Sequence, residues 1–264
     1  MKLYPQVIKN TISEYTAYRL NFTLWRVRYI IRILVLYFLW QAIFASSGEI
    51  LGYKQAQIMT YLLATEVVGS MIFSTKTQDI GNEIQQGNLT NFLLKPMNYF
   101  TYCINRDIAD KLLNIVYAIV EVGLILFFLH PPVVIQSNGT YLLAFFFAVG
   151  MALTLYFAIS LMLSFFSFWT QESWAPHFLF IVINEFLAGG LFPLDMLPKS
   201  LFTAISYLPF PYLLFFPLKV YLGQLSPTEV IKGFCIGLFW ILTLTILTQK
   251  VWREGLRLYT AEGR

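Results

Sequence analysis

Six apolar stretches, at residues 29–45, 56–75, 112–129, 141–168, 177–192 and 230–248, dominate the sequence. A helix needs about 20 apolar residues to cross the hydrocarbon core of a bilayer, so the pattern predicts six transmembrane helices with short connections. Composition excludes the competing classes. Charged residues are 12% of the chain and hydrophobic ones 58%, whereas soluble domains carry roughly 25% charged residues. A soluble globule is ruled out, and so is a disordered chain, which needs the opposite balance. Six spans in 264 residues leave no room for a separate soluble domain of ordinary size. The expected class is an all-α polytopic membrane protein with one transmembrane domain, 1–264.

Two segments depart from the span pattern. In residues 1–28, Tyr4, Ile8, Ile12, Tyr15, Tyr18, Phe22 and Trp25 recur at helical steps, with Lys9, Asn10, Ser13, Arg19 and Arg26 between them. This period suits an amphipathic helix lying in the membrane interface, or one docked on a partner. No cleavable leader is expected there. Residues 193–224 are apolar but contain Pro193, Pro198, Pro209, Pro211 and Pro217. Each proline removes a backbone donor, which predicts short helices dipping into the outer interface and no seventh span.

Orientation follows from Lys and Arg. Six precede the body of the first span, four lie at 76–111 and four at the C-terminal end, making 14 of the 18 basic residues. Only Lys54, Lys199, Lys219 and Lys232 fall on the opposite side. The positive-inside rule places both termini in the cytoplasm. Arg32 lies close enough to the start of its span to snorkel. Cys103 and Cys235, in unlike contexts, are expected to be plain thiols.

The usual catalytic signatures are missing. There is no G-x-x-x-x-G-K-[ST] phosphate loop, no G-x-S-x-G elbow and no H-E-x-x-H pair. No nucleic-acid partner is expected, and no metal is expected from His130 and His177, which lie far apart. Asp107 and Asp110 form a D-x-x-D that could hold magnesium for a lipid diphosphate. The plainer reading pairs Arg106 with Asp110 and Asp107 with Lys111 at i,i+4 on a solvated helix. Glu66, Glu121 and Glu185 lie inside apolar runs, where a carboxylate must face a partner or a cavity. Glu66 shares a helical stripe with Met59, Leu62, Ser70 and Phe73; Glu185 shares one with His177, Ile181, Asn184 and Ala188. Each stripe reads either as a substrate path or subunit seam, or as hydrogen-bonded glue between helices.

The loop at 79–96 reads as a short amphipathic helix ending at Gly87, a residue suited to a left-handed cap, and a second turn stopping before Pro96. Here the chain resembles the membrane subunits of type 2 ABC exporters. The pattern E-x-x-x-G-x-L-x-x-x-L-x-x-P is present as Glu83, Gly87, Leu89, Leu93 and Pro96, between the second and third apolar stretches. A second likeness is Gly189-Gly-Leu-Phe-Pro-Leu-Asp-Met-Leu-Pro198, followed by the Pro209–Pro211 turn; residues 1–28 resemble the family's connecting helix.

The resemblance implies that Asp79, Ile80, Glu83, Gln86, Gly87, Asn88, Leu89, Leu93 and Pro96 form or flank a coupling helix. That helix, within the cytoplasmic loop 76–111, would seat in a cleft on a separate ABC ATPase subunit. Gln171 and Glu172 would make a lesser coupling contact. It implies a dimer with a second permease chain, identical or a sister, in the lipid of a bacterial inner membrane. The path between the halves would be lined by the second and fifth spans, including Met59, Leu62, Glu66, Ser70, Phe73, Ile181, Asn184 and Glu185. This chain would hold no cofactor and be no enzyme; ATP and magnesium would bind the partner ATPase. Lacking a large outer domain, it would move an amphipathic or lipid-linked substrate outward. The rival readings are an intramembrane enzyme acting on a lipid diphosphate and a passive channel or scramblase.

Overall fold

The computed structural model describes residues 3–17, 19–46, 48–95, 98–170, 172 and 174–259. Helices α1 (Leu3–Ala17) and α2 (Arg19–Phe44) lead into a two-residue hairpin, β1 (Glu49–Ile50) and β2 (Tyr53–Lys54). Next come α3 (Gln55–Phe73), α4 (Thr77–Gln85), α5 (Thr90–Leu93), α6 (Tyr99–Leu129), α7 (Gly139–Phe165) and α8 (Trp174–Leu187). Then α9 (Lys199–Ser206), α10 (Phe215–Tyr221) and α11 (Pro227–Leu258) close the chain. Local chemistry sets several starts. Asn98 and Asn138 cap α6 and α7 by accepting from the N–H groups of Thr101 and Thr140. Ser226 and Glu229 form a reciprocal capping box ahead of α11.

Among the described residues, five helical stretches are long and apolar enough to cross a membrane. The fifth apolar stretch, expected as a span over 177–192, instead forms the 14-residue α8, about 21 Å long against a hydrocarbon core of about 30 Å. It stops because Gly189 takes a left-handed conformation (φ +83°). Tyr61 donates to the Gly189 carbonyl at 2.7 Å, and the Phe215 N–H donates to the Ala188 carbonyl at 2.9 Å. A side chain at Gly189 would meet the Tyr61 hydroxyl at 2.7 Å. Among the described residues the fold therefore has five long apolar helices and a shorter one, joined by short helices, and is all-α but for the small hairpin.

Two other boundaries differ from expectation. Helix α6 begins at Tyr99, well ahead of the apolar stretch at 112, and α11 runs on past residue 248 to Leu258. Helix α1 packs against α6, so the amphipathic N-terminus has a partner within its own chain. Tyr18, and the side chains of Tyr4, Tyr15, Phe22 and Trp25, lie outside the described set. The proline-rich segment is broken into short helices, as expected. Its α10 and the two residues before it, however, are part of the core, with Leu213, Leu214, Leu218 and Val220 at most 1% exposed.

The main core surrounds α7, which packs against α3, α4, α10 and α11. Helix α11 approaches through glycines: a side chain at Gly255 would collide with the Phe168 ring, and one at Gly233 with the Phe216 ring. Phe168 is itself wedged against Phe165 and Trp252 and cannot retreat. Gly255→Leu is therefore expected to lower stability by about 1–3 kcal/mol, because overpacking outweighs the gain in helix propensity. A thermal unfolding midpoint in detergent that stays at the wild-type value would contradict this packing.

A polar staple ties the hairpin to the proline-rich segment. Lys219 donates to Asp195 at 2.7 Å, to the Tyr53 hydroxyl at 2.8 Å and to Gln224 at 2.7 Å, so all three ammonium protons are used. Burial, with Asp195 beside it, holds the Tyr53 phenol above its usual range. It therefore stays protonated and donates to Asp195 at 2.7 Å.

Candidate functional site

Helix α4 has two faces. Ile80 and Ile84, joined by Leu89, are buried against Tyr99, Cys103, Leu161, Phe165 and Phe168. On its polar side Arg106 reaches across from α6, donating to Asp79 at 2.8 Å and Glu83 at 2.5 Å, while Tyr99 donates to Glu83 at 3.3 Å. The helix ends as its sequence suggests. Gly87 sits at φ +73°, and the N–H groups of Gln86 and Leu89 donate to the carbonyls of Asn82 and Glu83, which satisfies the open C-terminal carbonyls.

Beyond the cap the chain forms an exposed tip. Gln86, Asn88, Asn91, Leu93, Leu94 and Lys95 are solvent-facing, Leu94 at 80%. A shallow depression there is lined by Glu83, Asn88, Asn91, Phe92 and Lys95. The lesser loop lies beside it: Gln85 donates to the Thr170 carbonyl at 3.4 Å, and Glu172 is exposed. Of the residues expected in this element, Ile80 and Leu89 turn into the chain and Asp79 and Glu83 bind Arg106. Gln86, Asn88, Leu93 and Glu172 face outward. Pro96 and Gln171 lie outside the described residues.

Sequence reasoning missed the brace on this tip. The Tyr259 hydroxyl donates to the Gly87 carbonyl at 2.6 Å and accepts from the Thr90 N–H at 3.2 Å. With Tyr259 just past the end of α11, no local pattern could have announced the pairing.

The D-x-x-D segment is not a solvated surface pair. Asp107 and Asp110 are 4% and 3% exposed, since α6 starts early and is covered by α1 and α3. Arg106 goes to Asp79 and Glu83 instead of Asp110. Lys111 does meet Asp107 at 3.3 Å, but its ammonium also donates to the Ile72 and Ser74 carbonyls at 3.1 and 2.6 Å. A cation on the last carbonyls of α3 is a favourable dipole arrangement, and it fixes the bend where α3 passes into α4. Among the described residues no group of three His, Cys, Asp or Glu side chains is placed to hold a metal ion.

Every acid within the apolar runs meets an arginine. Arg26 pairs with Glu121 through both carboxylate oxygens, and also donates to Asn114 at 3.3 Å. Arg32 donates to Glu185 and to the Gly190 carbonyl and lies 4.0 Å from Glu66. Met59, Leu62, Glu66 and Ser70 are covered by this chain's own helices, and Phe73 is half-buried beside Tyr156. On α8, Asn184 is buried, Glu185 is partly open and Ile181 faces outward.

A family model described as "ABC-2 family transporter protein" matches residues 30–263. No curated protein matches the chain.

Proposed function

The chain belongs to the ABC-2 family of transporter proteins, and from that premise we propose that it is the permease subunit of an ATP-driven exporter. The family's membrane subunits do not hydrolyse ATP themselves and associate with ABC ATPase partners. The ATPase docks on the tip formed by residues 86–95 and on the neighbouring Thr170 and Glu172. ATP and magnesium bind in that partner. What carries the reading is the tip's construction. Arg106 fixes the α4 base beneath it, Leu89 and Tyr259 fix its inner side, and polar and apolar groups are exposed on its outer side. A braced element with an exposed surface can transmit a push; a floppy loop cannot.

Two permease chains, identical or sister, form the membrane half in a bacterial inner membrane. The bias of basic residues supports cytoplasmic termini. The outward face of α8, with Ile181 and the partly open Glu185, forms the path or seam, and Glu66 supports Arg32 from behind. The cargo is amphipathic or lipid-linked and moves outward, a direction supported by the lack of a large outer domain among the described residues. No observation favours the lipid-diphosphate enzyme, because Asp107 and Asp110 are buried and Asp107 is engaged by Lys111.

Leu94→Asp tests the docking. The residue is exposed, so the change leaves the membrane fold intact while removing an apolar group from the tip. Copurification of the coexpressed ABC ATPase is expected to fall at least tenfold, or about 1.4 kcal/mol in affinity, with unchanged membrane yield. Full retention of the ATPase would remove the tip from the interface.

A further inference from the structure

Helix α8 is held at its two ends and open along its outward face. Trp174, Phe178, Leu179, Val182 and Phe186 are all exposed on it. At the far end, Glu185 meets Arg32. At the near end, His177 is 3% exposed, with Nε2 3.2 Å from the Ser164 hydroxyl on α7. The same hydroxyl lies 2.7 Å from the Thr77 carbonyl and 2.9 Å from the Ser160 carbonyl, which share its one proton. The Thr77 hydroxyl in turn lies 2.5 Å from that of Ser160. Thr77 is the first residue of α4. One buried side chain therefore separates the start of the docking element from the foot of α8.

The proton inventory fixes the direction of these bonds. A serine hydroxyl has one proton, and the carbonyls of Thr77 and Ser160 can only accept. The Ser164 proton goes to them, so His177 must donate its Nε2–H to Ser164 Oγ. Ser160, Ser164 and Thr77 are each at most 1% exposed. Breaking such a bond in a dry site leaves polar groups unsatisfied, so α4 and α8 are better off moving together than apart.

We propose that His177 is a positioning residue of the transport cycle, handing displacement of α4 to α8 through Ser164. This rests on α4 belonging to the ATPase-docking element. The effect at the far end would be to shift Glu185 relative to Arg32 and so alter the outward face of α8.

The test uses the full complex with its ATPase in nanodiscs, with the exposed Cys235 replaced by serine. Nitroxide pairs at Asn82–Leu238 and Val182–Leu238 are measured by pulsed EPR, before and after trapping with ATP and vanadate. Both pairs should shift in the otherwise unaltered chain. In His177→Leu and in the milder Ser164→Ala, the Asn82 pair should still shift and the Val182 pair should lose its shift. His177→Gln, which keeps a side-chain N–H donor, should restore it. A full Val182 shift in both His177→Leu and Ser164→Ala overturns the proposal. Absence of an Asn82 shift without these substitutions overturns the docking reading, and the proposal with it.

Discussion

Arg26→Leu is expected to destabilise the chain by about 3–5 kcal/mol, because it strands the Glu121 carboxylate in a buried site. Both partners are nearly inaccessible, Arg26 at 5% and Glu121 at 7%, so water cannot replace the lost guanidinium. Folded yield and the unfolding midpoint should both collapse. The double variant Arg26→Leu/Glu121→Leu removes the charge along with its partner and should recover most of the loss. Replacing a buried ion pair by apolar groups is often close to neutral, and more so when the surroundings are apolar. A double variant as unstable as the single one would show that the pair does more than neutralise itself.

Arg106→Ala acts on function more than on folding. The guanidinium holds Asp79 and Glu83 together, and Glu83 is mostly buried. Its removal should cost roughly 3 kcal/mol, from two charge-assisted bonds lost and a carboxylate left behind. The apolar face of α4, with Ile80 and Ile84, still anchors the helix, so the chain should insert. Its orientation on α6 is no longer fixed. ATP hydrolysis by the partner subunit should then proceed with little transport. Arg106→Lys reaches only one carboxylate at a time and should fall between. Full coupling in Arg106→Ala would mean that the packing of α4 alone sets its position.

The membrane class, the stop at Gly87 and the breaks at the prolines were legible because each rests on local chemistry: apolar runs, left-handed backbone, missing donors. The length of α8 was not. It depends on Tyr61 and Phe215 gripping the turn at 188–189, contacts that no periodicity reveals. The polar start of α6 was misjudged for a related reason. A run such as Arg106-Asp-Ile-Ala-Asp-Lys111 looks solvated until α1 is laid over it, and a choice between i+4 partners and carboxylates more than 20 residues away is made by packing. Tyr259 on Gly87 is the extreme case, a brace across 172 positions. The embedded acids were visible as singular residues, but their arginine partners on α2 were not.

Site-directed cross-linking decides whether the tip meets the ATPase. Single cysteines at Asn88 on the tip and at Ser200 in the proline-rich segment, in a chain with Cys235 replaced by serine, are treated in native membranes with a short reagent that joins a thiol to a lysine amine. Docking at the tip predicts a covalent adduct with the ABC ATPase from Asn88, enhanced by trapped nucleotide, and none from Ser200. An adduct from Ser200 with none from Asn88 would place the ATPase at the other end of the molecule and contradict both the docking site and the orientation of the chain.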